Sequence, residues 1–375
     1  MIIELHMLQN FAPSCLNRDD TGAPKECEFG GYRRARISSQ CIKRAIRDYF
    51  MDNHVFSKEN LAKRTLLIRD SLVKRLENSG KNTEQARSAV DKALSCLKLA
   101  PGTDGKTKYL VFAGEKEMSR LAETIANYWE QLLTEEPPKE LQKELLRILD
   151  GGKAVDLALF GRMLADLPVK NIDAACQVSH AISTNKVNVE FDYFTAVDDL
   201  QPEEKTGAGM VGTMEFNSAC YYRYANVDVN QLVDNLLGKP RDKATADELK
   251  EARALASTTI KAFIKASVNA IPTGKQTSMS AQNPPDFVFA VVRDSGAWSL
   301  ANAFAKPIYP GKDGDLIQQS VTALVNYWNR LARAYGEDGV KAKPALSLTD
   351  VPLDSLQKVE NLDTLITAVD RVVTR

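Results

Sequence analysis

What the chain lacks narrows the field first. Its six cysteines (Cys15, Cys27, Cys41, Cys96, Cys176, Cys220) include no CxxC pair. Neither a zinc ribbon nor a disulfide framework is expected, and the thiols read as buried and free. The three histidines, His6, His54 and His180, stand far apart in sequence and give no metal-ligand spacing. No apolar run reaches the ~20 residues of a membrane-spanning helix. The first eight residues are too short for a signal peptide, and Glu4 interrupts them. A soluble, cytoplasmic protein with no membrane partner is therefore expected. Net charge is also missing, with 49 Lys+Arg against 49 Asp+Glu. The Walker and dinucleotide glycine motifs, GxSxG, HExxH and the EF-hand loop are absent as well. Nothing in the sequence calls for a cofactor, a metal or a catalytic role.

Against that neutral background, one segment is charged on purpose. YRRARISSQCIKRAIR, residues 32–47, holds six basic residues and no acidic one. Ser38 and Ser39 are good N-cap residues, because a short hydroxyl satisfies an orphan backbone N–H. Ile42, Ala45, Ile46 and Tyr49 follow at helical spacing as an apolar stripe, with Gln40, Lys43, Arg44 and Arg47 on the other side. A helix N-terminus offers free N–H groups and partial positive charge to a phosphate. Adding cations around it makes a seat for a polyanion. In the preceding extended stretch, alternation sends Arg34 and Arg36 to one face and Arg33 to the other.

The rest of the chain divides by pattern. At 44% apolar residues it can build a real core, in one large or two to three ordinary domains. Residues 1–8 read as a strand with Ile3, Leu5 and Met7 on one face. A long loop follows (SCLNRDDTGAPKECEFGGYRR), in which Gly30-Gly31 would let backbone approach a ligand closely. From about 57 to 165 the chain reads helical, with apolar spacing over 61–78, 82–99, 116–133 and 139–149. Residues 185–194 and 214–227 read as extended arms with an acidic, then Gly-rich tip between them, which predicts a projecting hairpin. Helices are expected over 246–271, 316–335 and 353–373, and a buried strand over 286–292. Strands near both ends with helices between give an α+β class. Asp19-Asp20 and Asp198-Asp199 are the tight carboxylate pairs, and adjacent residues make poor shared metal ligands.

The runs SCLNRDD, FGGYRRARISSQCIKRAIR, GRM (161–163), SHAISTN (179–185), FTAVDDL (194–200), EFNSACYYRYAN (215–226) and LANAF (300–304) resemble the CasC-type backbone subunit of type I-E Cascade, the CRISPR surveillance complex of antiviral defence, within the RAMP superfamily. The resemblance covers most of the chain, leaving about 101–150 open. It implies an RNA-recognition-motif-like (ferredoxin-like) palm in 1–56 and 221–375, a helical fingers insertion in 57–180 and a thumb β-hairpin in 181–220. It implies a subunit that breaks no bond. Copies would polymerise head-to-tail as a helical filament along one CRISPR RNA, contact other Cascade subunits and present the guide to target DNA. Carried over, the RNA seat would use Arg18, Lys25, Ser38, Gln40, Lys43, Arg44 and Arg47, with Lys275 beside them. Met163 would wedge against a displaced nucleotide, and Thr195, Val197 and Leu200 of the thumb would pack on the kinked RNA. The aromatic stacking motif of ordinary RNA-recognition domains is missing, so contacts should be to backbone rather than base. The alternative that the same superfamily raises is a metal-dependent ribonuclease cutting target RNA, with Asp19 or Asp20 as its acidic residue.

Overall fold

The computed structural model describes residues 1–196, 210–311 and 315–374. In chain order its strands are β1 (Ile2–Ser14), β2 (Glu26–Phe29), β3 (Tyr32–Ile37), β4 (Ala62–Thr65), β5 (Val111–Gly114), β6 (Cys176–Val178) and β7 (Ala181–Ser183). They continue with β8 (Glu190–Ala196), β9 (Met210–Asp228), β10 (Phe287–Arg293), β11 (Val340–Ala342), β12 (Pro344–Ser347) and β13 (Gln357–Lys358). Twelve α-helices accompany them among the described residues. The class is α+β, built on a central sheet, and the chain forms two units.

The first unit comprises Met1–Asp48, Val178–Asn226 and Phe263–Arg375. Its strands run in the order β13-β12-β10-β1-β9-β7-β3-β2. β1 and β10 pair antiparallel from Ile2↔Arg293 to Leu8↔Phe287. All seven residues of β10, FVFAVVR, are buried, as a central strand covered on both faces requires. β1 is buried on both faces too, which its alternation does not announce, because its polar residues find partners across the sheet. Glu4 binds Arg293 at 2.7 Å, His6 Nδ1 lies 2.9 Å from the Tyr222 hydroxyl, and Gln9 accepts from Arg223 at 2.5 Å. These pairings offset part of the cost of burying the polar groups, and His6 Nε2 stays buried without a hydrogen-bond partner. Helix Leu316–Tyr335 turns Val321, Leu324 and Trp328 onto Phe287, Phe289 and Phe304. Trp328 meets Phe289 edge-on at 5.0 Å between centroids, the favoured geometry of aromatic pairs.

The long loop ahead of the basic stretch is not a loop throughout. β2 and β3 pair antiparallel and close on Gly30-Gly31. Both glycines have positive φ, +63° and +80°, as a tight hairpin turn demands. A Cβ on Gly30 would stand 1.9 Å from the Ala305 carbonyl oxygen. The pair serves the turn, and Gly30 its packing against Ala305. β8 and β9 form a two-stranded ribbon from Glu190↔Phe216 to Ala196↔Met210, and every residue of β8 is exposed.

The second unit comprises Tyr49–Gln177 and Val227–Ala262. Helices Ile68–Asn78, Thr83–Cys96, Glu115–Asn127 and Lys139–Ile148 close over Leu72, Leu76, Val90, Leu94, Leu121, Ile125, Leu141 and Leu145. The sequence predicts only helices here, yet β4 and β5 pair antiparallel. Four-residue strands with partners about fifty residues away leave little local pattern. Glu117 and Arg162, 0% and 1% exposed, form a buried ion pair at 2.8 Å. Glu117 also accepts from the Gly114 and Gly151 amides, so its charge is fully engaged.

Candidate nucleic-acid interface

The helix that follows the basic strand is Ser39–Asp52. Ser38 stands just ahead of it, and its hydroxyl accepts from the Cys41 amide at 3.4 Å, so it acts as the N-cap. Its own amide donates to Asn17 Oδ1 at 2.8 Å, which ties the loop after β1 to the helix start. Ser38 is only 6% exposed. Its hydroxyl shapes the seat as the helix cap, the role its sequence position suggests. Gln40 and Arg44 are exposed and Lys43 is half-buried. Arg44 is held by Asp48 one turn on, at 2.7 Å.

Arg47 departs from expectation. It is 9% exposed, not on the solvent face. The buried line of the helix is Ile42, Ile46 and Phe50, spaced by four, and Arg47 lies along its edge. A long aliphatic stem packs readily in such a place.

Arg18 and Lys275 reach the same place from other segments. An open cleft of about 560 Å³ is lined by Leu16–Gly22 of the loop after β1, by Cys41 of the helix, and by Thr273 and Gly274. Gly274 packs tightly against the Cys15 and Leu16 carbonyls, and a Cβ there would be 2.4 Å from the Leu16 oxygen. That close approach puts Lys275, in a left-handed conformation with φ 54°, beside the loop. Burial raises the Cys15 thiol pKa, and the positive charges of Arg18 and Lys275 oppose the shift. Burial likewise raises Cys41, with Lys25 opposing. Arg18 thus lines the cleft together with Asp19 and Asp20, and Lys275 and Lys25 act on the two thiols at its edge. Lys25 sits at the base of the hairpin, where its amide donates to the Asn17 carbonyl and its carbonyl accepts from the Arg36 amide.

The remaining expected residues lie elsewhere. Thr195, in the exposed β8 ribbon, pairs with Val211. Val197 and Leu200 fall outside the described residues. Met163 belongs to the second unit and is 78% exposed, so it is not a core side chain. Its neighbours divide the labour of the GRM run: Gly161 ends a helix at φ +76°, Arg162 enters the buried pair and Met163 faces out.

Of the remaining arginines in the run, Arg33 pairs with Glu26. Arg34 is 0% exposed and donates to the carbonyls of Ser183, Thr184, Phe304 and Ala305 at 3.0, 2.8, 2.7 and 3.2 Å. It is a structural clasp inside a basic sequence. Arg36 reaches His180 Nδ1 at 3.0 Å, a contact absent from the sequence-predicted site. The SHAISTN run held the signal, but only strand pairing brings it beside β3.

Of the two acidic candidates, Asp19 is engaged locally. Asp19 Oδ1 accepts from the Thr21 amide and hydroxyl and from the Ala23 amide, an Asx-type turn that orders the loop. The Thr21 hydroxyl and these amides hold its pKa below the usual carboxylate value. Among the described residues, no three His, Cys, Asp or Glu side chains converge on a metal-sized site.

The fold is similar to a chain of a CRISPR RNA-guided surveillance complex in a pre-nicking state, at 28% identity over 100% of both chains with a TM-score of 0.86. It is also similar to a chain of a CRISPR RNA-guided surveillance complex at 25% identity, over 99% of this chain and 100% of that one, with a TM-score of 0.74. No curated protein matches the sequence. The model of the CT1975-like protein family matches residues 3–369, and the chain belongs to that family. The motif resemblance to a Cascade backbone subunit agrees with both findings.

Proposed function

We propose that this chain is a non-catalytic, RNA-binding backbone subunit of a type I-E Cascade complex. The observation that carries the proposal is the gathering of Arg18, Lys25 and Lys275 about the cleft and helix start around the 16–22 loop, with Lys43 in the first turns of that helix. Lys and Arg side chains neutralise phosphates, and helix amides add donors, without reading bases. Such a seat suits a subunit that must accept any guide. In this reading the sheet unit is an RNA-recognition-motif-like palm, the helical unit supplies the fingers, and the β8–β9 ribbon is the thumb. Copies line up head-to-tail along the CRISPR RNA, and the guide pairs with target DNA while protein holds its backbone. Other Cascade subunits complete the particle, which acts in the cytoplasm. Among the described residues no helix is long and apolar enough to cross a membrane.

The test is binding of single-stranded RNAs of unrelated sequence over a salt series. Similar affinities for all of them, falling steeply with salt, are expected. Strong preference for one sequence, or no binding at low salt, refutes the proposal.

A further inference from the structure

We propose that Arg36, His180 and Lys25 form an additional phosphate subsite, in which an RNA phosphodiester takes over the guanidinium of Arg36 and His180 picks up a proton. The inference rests on the RNA-binding reading above and extends the seat across the hairpin to β7.

The geometry fixes the starting state. Arg36 Nη1 lies 3.0 Å from His180 Nδ1. A guanidinium only donates, so Nδ1 must accept, and the imidazole is neutral with its proton on Nε2. The ring is exposed, and the charged groups that act on it are Arg36 on β3 and Lys25 ahead of β2, both cations. Arg36 Nε is anchored on the Glu26 carbonyl at 3.1 Å, which aims the fork at this spot. Lys25 has no acidic partner among the described residues. Two cations facing one imidazole, with no anion between them, is an electrostatically unfavourable grouping that a phosphate would relieve. Partial burial and the two cations together hold the His180 pKa below its ordinary value.

An arriving phosphate accepts from Arg36 and Lys25 and frees Nδ1. The ring then stands beside an anion rather than against bare cations, so its pKa rises and it takes a proton from solvent. No bond beyond that N–H forms. Linkage gives the sign: a group that gains a proton on binding makes affinity rise as pH falls, by up to about tenfold per pH unit between its free and bound pKa values. His6 does not compete, because burial holds it near a pKa of about 3.

The experiment measures affinity of the whole chain for a short single-stranded RNA at fixed salt, from about pH 8 to about pH 5.5, a range centred on histidine titration. Wild type and His54→Gln should gain about threefold to tenfold in affinity toward low pH, and His180→Gln should lose most of that gain. Calorimetry of the wild type near pH 6.5, in two buffers of different ionisation enthalpy, should report net proton uptake, smaller in His180→Gln. Equal pH slopes in wild type and His180→Gln, or no proton uptake, overturn the subsite while leaving the RNA-binding reading intact. Failure of the wild type to bind RNA at any pH overturns that reading instead.

Discussion

The basic run mixes two kinds of arginine, and replacing one of each separates them. Arg34→Met removes a guanidinium that closes four backbone carbonyls, three of them within 3.0 Å, at a site with no exposure. Hydrogen bonds to a charged group contribute about 1.5–3 kcal/mol each, and an orphaned carbonyl costs about 1–3 kcal/mol. Methionine recovers some packing, and the desolvation cost of the charge disappears. With those offsets, a net loss of about 3–5 kcal/mol is expected. For a unit of this size that lowers the melting temperature by about 10 °C, at ~2–4 °C per kcal/mol. Arg44→Met is the control. Its side chain is 70% exposed, with one i,i+4 partner in Asp48. Such a pair is worth about 0.3–0.5 kcal/mol, so the midpoint should move by no more than about 2 °C. Near-UV circular dichroism through a thermal ramp reads both variants. If Arg34→Met melts within about 2 °C of wild type, Arg34 is not the clasp the geometry describes.

Other consequences can be checked independently. Lys25→Glu with Lys43→Glu should weaken RNA binding equally for unrelated sequences and reduce the salt slope by at least about 1.4, at ~0.7 per phosphate contact on a single strand; an unchanged slope in filter binding contradicts the seat. Gly30→Ala places a methyl on a positive-φ residue and against the Ala305 carbonyl. It should cost about 2 kcal/mol or more in urea unfolding, whereas Gly31→Ala, with open space around its Cβ, should cost less. His6 is buried and neutral, with its pKa lowered to about 3 by burial and then by Arg293. The unfolded chain binds a proton there below about pH 6.5, which the folded chain refuses until about pH 3. Folding stability should therefore fall with decreasing pH in that window, by up to about 1.4 kcal/mol per unit from this group. His6→Gln should flatten that part of the pH profile of urea midpoints, and an unaltered profile would refute the assignment.

What could be read in advance was local. Capping chemistry and four-residue spacing mark the helix start after Ser38, because both depend on neighbours in sequence. The α+β class follows from strand patterns near both ends. The role of Arg34 could not be read, since its partners lie about 150 and 270 residues away and are backbone carbonyls, which carry no sequence signature. Arg47 illustrates a subtler failure: two candidate stripes, 42-45-46-49 and 42-46-50, differ by a small rotation, and packing chose the second. Gly30-Gly31 is a hairpin-turn pair, but the charged residues flanking it in β2 and β3 lack the apolar alternation that marks strands. The expected final helix over 353–373 begins only at Leu362, where Asn361 caps it by accepting from the Thr364 amide. Residues before that point settle instead into the short parallel pairing of β12 with β13.

A density map of this chain assembled on its guide RNA tests the central claim most directly. The account predicts phosphates within salt-bridge reach of Lys25, Lys43 and Lys275, with bases turned away from the helix start. Nucleotides running elsewhere, with the 16–22 cleft open to solvent, would contradict it.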